Sequence, residues 1–198
     1  MRIVLLAEGR TERAAGAHFK RFLDEHAAHL PKVRLDVRSF DGALTANKIR
    51  RHCQLHLGDV DVRGVIALAD AYPQFRGQDG AQAKATLRSW MPDDERCHAC
   101  IALHDFEAWL LPGWSAITGR LGSKQSYPWG PPETVDDDKP PAHRLKEIFA
   151  TKRRAYVKPV DGKLLFEQLD LPEVAQRCPE LKILLNTLLT AAGYPTLP

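Results

Sequence analysis

Ile3-Val4-Leu5-Leu6-Ala7-Glu8-Gly9-Arg10-Thr11-Glu12 decides the fold. Five apolar residues run without interruption, then give way to an acid, a glycine and a polar helix start. An unbroken apolar run of this length reads as a strand covered on both faces. Gly9 allows a tight turn out of it. Thr11 reads as the N-cap of the helix that follows, and Glu12 as a first-turn acid favoured by the helix dipole. Glu8 therefore projects from the carboxyl end of a buried strand, where a carboxylate must be solvated, paired or metal-bound.

The pattern recurs outward from this point. Val65 to Ala69 is a second apolar run, closed by Asp70, and Cys100 to Leu103 a third, followed by His104-Asp105-Phe106-Glu107. From Lys32 to Phe40 apolar Val33, Leu35 and Val37 alternate with charged residues, the pattern of an edge strand protected by charge. Between the runs lie helical stripes: Ala15, Phe19, Phe22, Leu23, His26 and Leu30 in one, Ala83, Leu87, Trp90 and Met91 in another, with a weaker helix from Leu44 to Leu57. The order β-α-β-α-β-α-β-α predicts an α/β fold built on a mainly parallel four-stranded sheet flanked by helices. Ligands of such sheets bind beyond the carboxyl ends of the strands. Glu8, Asp70, Asp105 and Glu107 are all predicted there.

Each acid has a structural alternative. Glu12 serves the helix dipole; Asp70 is a turn aspartate bonding nearby amides; Asp105 caps a helix whose buried stripe is Phe106, Trp109 and Leu110, which leaves Glu107 on a more open face. As a group they argue differently, because clustered carboxylates repel unless a cation sits among them. Hard oxygen donors suit Mg²⁺ or Mn²⁺, ions that commonly act on phosphates.

At 198 residues the chain is expected to form one domain. Its predicted parts are an α/β core over 1–111, a Gly/Pro-rich loop or lid over 112–141, and a helical extension over 142–198 that packs back through Leu181, Leu184, Leu185, Leu188 and Leu189. No apolar run is long enough to span a bilayer, and no signal peptide is evident, so a cytoplasmic protein without membrane attachment is expected. Four scattered cysteines do not make a disulfide framework. Cys97-His98-Ala99-Cys100 has the spacing of half a zinc site but lacks a second paired-ligand motif, and His52 and His56 read as a surface pair. The net charge of +3 announces no polyanion by itself, yet Arg144, Lys146, Lys152, Arg153, Arg154 and Lys158 crowd one stretch, interrupted only by Glu147. That stretch is either a basic patch or a solvated helix face. Tyr127, Trp129 and Tyr156 are candidates to stack on unpaired bases, with burial as the alternative. Asp136-Asp137-Asp138 reads as a solvated acidic loop away from any nucleic-acid path, or as a gate over it.

Glu8-Gly9-Arg10-Thr11-Glu12, Asp70-Ala71-Tyr72, His104-Asp105-Phe106-Glu107-Ala108-Trp109-Leu110, Lys152 through Lys158, Asp161-Gly162-Lys163 and Cys178-Pro179 together resemble the successive motifs of a prokaryotic family of unknown function in the Toprim clan, distant kin of the nucleases of overcoming-lysogenisation-defect (OLD) type. In that clan a glutamate after the first strand and an Asp-x-Asp after the third bind Mg²⁺ and handle protons in phosphoryl transfer. The resemblance implies that Glu8 and Asp70 are catalytic and hold Mg²⁺ or Mn²⁺. With the acids that follow the fourth run, the expected metal ligands are Glu8, Asp70, Asp105 and Glu107, with Glu107 as a further catalytic candidate, and the basic stretch offers Lys152, Arg153, Arg154 and Lys158 to phosphate; Glu12, Tyr72 and His104 are secondary candidates. Tyr72 stands where the clan has its second aspartate. The implied function is a metal-dependent nuclease acting on DNA or RNA, an anti-phage effector working with an ATPase partner; the alternative is a degenerate module that binds nucleic acid or a partner protein.

Overall fold

A computed structural model describes residues 1–40, 44–135 and 139–198. Four strands, β1 (Arg2–Ala7), β2 (Arg34–Ser39), β3 (Val62–Asp70) and β4 (Cys97–Ala102), form an all-parallel sheet in the order β2-β1-β3-β4. Three helices make the crossovers: α1 (Arg10–His26), α2 (Ala46–Leu57) and α3 (Gly80–Ser89). The fold class is the one the apolar runs predict.

Alternation along the strands divides the interior into two cores, because successive side chains point to opposite faces. Ile3, Leu5, Ile66, Leu68, Cys100 and Ala102 face one core, closed by α1 and by α8 (Pro179–Ala192). Val4, Leu6, Val65, Ala67, Cys97 and Ile101 face the other, closed by α2 and α3. This alternation disposes of the half-zinc reading, since Cys97 and Cys100 lie on opposite faces of β4. All four cysteines are buried and free. β2 is an edge strand, as its alternation predicts. β4 is the other edge, although its apolar run reads as central: α3 and α8 cover its faces while one side of its backbone lacks a neighbouring strand.

The chain beyond β4 is more ordered than a lid. A 3₁₀ segment, Phe106–Gly113, leads into α4 (Trp114–Arg120), whose Trp114 and Ile117 join the larger core. A short 3₁₀ turn, Pro132–Thr134, places Glu133 inside the protein, where its carboxylate accepts hydrogen bonds from Trp109 Nε1 (2.7 Å) and from the Glu180 and Leu181 amides (3.1 and 3.2 Å). One side chain thus caps the amino end of α8 and anchors the segment after β4. Composition concealed this, because Gly, Pro and Ser mark turns without saying what the turns carry inward. The Asp136–Asp138 run lies outside the described residues. α5 (Pro141–Thr151), α6 (Lys163–Phe166), α7 (Leu171–Ala175) and α8 complete the helical extension. No helix among the described residues is long and apolar enough to cross a membrane.

Candidate active site

Parallel strands all end at one edge of the sheet, and each acid is delivered there by the element that ends beside it. Glu8 follows β1, and its Oε2 accepts the Asp70 amide at 3.0 Å, which ties the ends of β1 and β3 together. Asp70 closes β3, and its Oδ1 accepts the Phe106 amide at 2.9 Å. The β3–β4 pairing continues past both strands, with Ala71 N donating to Ala102 O and Tyr72 N to His104 O. His104 then adopts a left-handed backbone with φ 65°, a conformation that costs a non-glycine residue about 1–3 kcal/mol and that turns the chain inward at Asp105.

Asp105 is a cap, but of another helix. Its Oδ2 accepts the Ala142 amide at 3.1 Å, at the start of α5, while the 3₁₀ segment that follows it receives no side-chain cap. Its Oδ1 is buried and makes no well-formed hydrogen bond among the described residues, the nearby Glu107 amide compensating the carboxylate only weakly. Glu107 departs further from its predicted open face: it is completely buried, with Oε1 accepting the Tyr156 hydroxyl at 3.3 Å and Oε2 3.0 Å from Lys158 Nζ. The 3.6-residue periodicity used to place it does not hold, because this turn is 3₁₀ rather than α. Glu12 is also buried, and it folds back toward Gly9, where a Cβ would lie 2.5 Å from its Oε2. Gly9, not Thr11, is the N-cap of α1. What reads in sequence as a dipole partner is a member of the acid cluster.

The electrostatics identify these residues as one group. Burial raises the Glu8 pKa, opposed by the Asp70 amide and by Lys158. Burial pushes Glu12 up to about 7, with Glu107 and Glu8 adding repulsion. Asp70 is raised well above its ordinary value by burial and by Glu12, Asp105 and Glu107, and burial with Glu107 pushes Asp105 up to about 7. Lys158 is the cation acting on all four. Burial disfavours its charge, but Glu107, Asp105 and Asp70 outweigh that and raise its pKa.

Lys158 reaches the acids from a turn of π-helix, Lys158–Gly162. Asp161, buried in that turn, accepts from the Val157 amide at 2.8 Å and from Arg120 Nε and NH2 at 3.1 and 2.8 Å. Gly162 packs so closely on α1 that a Cβ would meet Thr11 Cγ2 at 2.9 Å and the Tyr156 hydroxyl at 3.0 Å. Neither Arg120 nor Asp161 announces this role in sequence; only the Asp161-Gly162 pair, as a turn signal, hints at it. The remainder of the basic stretch goes elsewhere. Lys152, Arg153 and Arg154 follow the far end of α5, roughly 15 Å along its axis from Ala142. Arg154 donates to Arg120 O and lies over the Phe149 ring. Tyr156 is buried and offers no stacking face, while Tyr127 and Trp129 are half-buried and pack edge-on against each other and Trp114.

No three His, Cys, Asp or Glu side chains among the described residues converge at metal-ligating distance as they stand. The donor chemistry nevertheless fits a hard divalent ion. Carboxylate oxygens predominate, the acids raise one another's pKa values, and Asp105 Oδ1 is buried with no well-formed hydrogen bond among the described residues. Glu8, Glu12, Asp70, Asp105 and Glu107 are the side chains that could hold one.

The C-terminal region of the Burkholderia pseudomallei OLD protein has a similar fold, with a TM-score of 0.55 and 17% identity over 97% of each chain. No curated protein matches the chain. A family model does, over residues 7–189, which includes every acid of the cluster as well as Lys158, Asp161 and most of α8. The chain belongs to the family described as domain of unknown function DUF4276.

Proposed function

We propose that this protein hydrolyses nucleic-acid phosphodiester bonds with Mg²⁺ or Mn²⁺ held by Asp70, Asp105 and Glu8. The observation that carries this reading is the acid cluster at the carboxyl edge of a parallel sheet, in which Glu12, Asp105 and Glu107 are buried and Glu8 and Asp70 half-buried. Its order of motifs, which resembles the Toprim clan, and its similarity in fold to the OLD region support the same reading. The metal, when bound, supplies a Lewis acid toward a phosphate oxygen and lowers the pKa of water. Glu12, close to 7, suits proton transfer at neutral pH. Glu107 fixes Lys158, whose side chain is 39% exposed and is placed to neutralise charge developing on the phosphate. Lys152 and Arg153 lie outside this constellation and would serve at most as remote backbone contacts. Cytoplasmic residence, in line with four free cysteines, an ATPase partner and a role in defence against phage belong to the proposal as well.

Cleavage of plasmid, linear and single-stranded DNA and of RNA, in Mg²⁺ or Mn²⁺ against chelator, tests it. Wild type is expected to cleave at least one substrate, and Glu8→Ala to lose at least a hundredfold of that rate, as is typical when a group acting in the transition state is removed. Equal cleavage by the two proteins would remove Glu8 from the reaction. Tyr72 in the place of the clan's second aspartate favours a second reading, a binding module without catalysis. Tight Mn²⁺ binding abolished by Asp70→Asn supports the enzyme, and its absence supports the module.

A further inference from the structure

Beside the acids, past the ends of β3 and β4, lies an open groove of ≈ 600 Å³ lined by Tyr72, Phe75, Arg76, Gln78, His104 and Pro140 among others. It has the size of ligand pockets, roughly 300–1,000 Å³. Its position in the chain joins it to the cluster: Tyr72 is two residues beyond Asp70, and His104 immediately precedes Asp105. The Tyr72 side chain is 45% exposed, and among the described residues no other aromatic is as open. Its backbone is held to His104 O at 2.8 Å, so the ring is presented from a paired segment rather than a free loop. Arg76, also exposed on this groove, forms no ion pair among the described residues.

We infer that this groove binds one unpaired nucleotide of a single-stranded nucleic acid, with Tyr72 stacking on the base and Arg76 meeting the adjoining phosphate. The inference deepens the proposed hydrolase reading by naming its substrate class. An aspartate at position 72 would add a further negative charge to acids that already repel one another. A tyrosine instead offers a flat π-face, which every base can use and which duplex bases, stacked on their neighbours, cannot reach. Tyr72 thus supplies a stacking platform beside the acids without adding to their charge. Arg76 lines the groove as the cation that can meet a phosphate there, while Asp79, the acid on the same lining, is engaged in capping α3 through the Gln82 amide.

Fluorescence anisotropy with short labelled oligothymidylate, oligouridylate and a DNA duplex of equal length, in chelator so that nothing is cleaved, tests the assignment. Wild type is expected to prefer the single strands. Tyr72→Ala should weaken them by roughly 5- to 150-fold, the span of one base–aromatic stack, with little effect on the duplex, while Tyr72→Phe binds as wild type does. The two single strands separate DNA from RNA. Unchanged single-strand binding by Tyr72→Ala, a preference for duplex, or no binding of any oligonucleotide would overturn the inference. Tyr72-dependent binding without cleavage in Mg²⁺ or Mn²⁺ sinks the hydrolase reading alone, and cleavage without Tyr72-dependent binding sinks the groove assignment alone.

Discussion

Asp105 meets two opposed demands in one carboxylate: one oxygen caps α5 and the other is buried with no well-formed hydrogen bond among the described residues. Its pKa near 7, against 3.8 for an unfolded aspartate, gives the metal-free protein a defined pH dependence. Between these values the folded state holds more protons than the unfolded one. Stability therefore falls as pH rises through that window and levels off above it, the reverse of an aspartate in a salt bridge. Thermal melts in chelator should show this decline. Asp105→Asn keeps an oxygen for the Ala142 amide and removes the charge, so it should flatten the decline and melt higher than wild type at pH 8, about one unit above the Asp105 pKa. A lower melting temperature for the variant at that pH would count against mutual repulsion in the cluster. At this scale Glu8 and Asp70 were legible in sequence because each ends an apolar run. Glu12 is only a secondary candidate in sequence, because a first-turn acid already has a sufficient explanation in the helix dipole. Glu107 was misplaced because its turn is 3₁₀.

Glu133 does the most for the elements around it. Its carboxylate holds Trp109, two residues from Glu107, and the first amides of α8, which brings five fully buried leucines to the sheet. Glu133→Ala leaves three donors unpaired in the interior and should cost about 2–4 kcal/mol, read by urea denaturation, with Glu133→Gln costing less because an acceptor remains. A loss under about 0.5 kcal/mol would show that α8 is docked by its leucines alone. The strands and first three helices could be read from sequence because hydrophobic periodicity reports burial directly. α4 and the Glu133 cap could not, since they depend on long-range partners that a Gly/Pro-rich composition does not disclose.

The cluster as a whole is only partly offset, and from far along the chain. Four elements at one sheet edge supply the acids, and the ammonium that acts on them is that of Lys158, fifty-one residues after Glu107 and positioned by Asp161, Arg120 and the close approach of Gly162 to α1. Lys158→Met should lower stability by on the order of 2 kcal/mol, below the 3–5 typical of a fully buried pair because the lysine is partly exposed. Mn²⁺ should restore more of the melting temperature of this variant than it adds to wild type, and equal increments would argue that the ion and the lysine do not act on the same acids. Sequence could show a basic stretch here but not which of its members returns to the sheet, because that depends on the path of the chain after α5. The order of synthesis gives this arrangement a further meaning. All five carboxylates leave the ribosome well before Lys158 and the turn that aims it, so a nascent chain passes through a stage in which its charged centre is complete in acids and lacks its counterion. The acid cluster is therefore the last part of the sheet edge to gain its ammonium, after the strands that carry it have already been made.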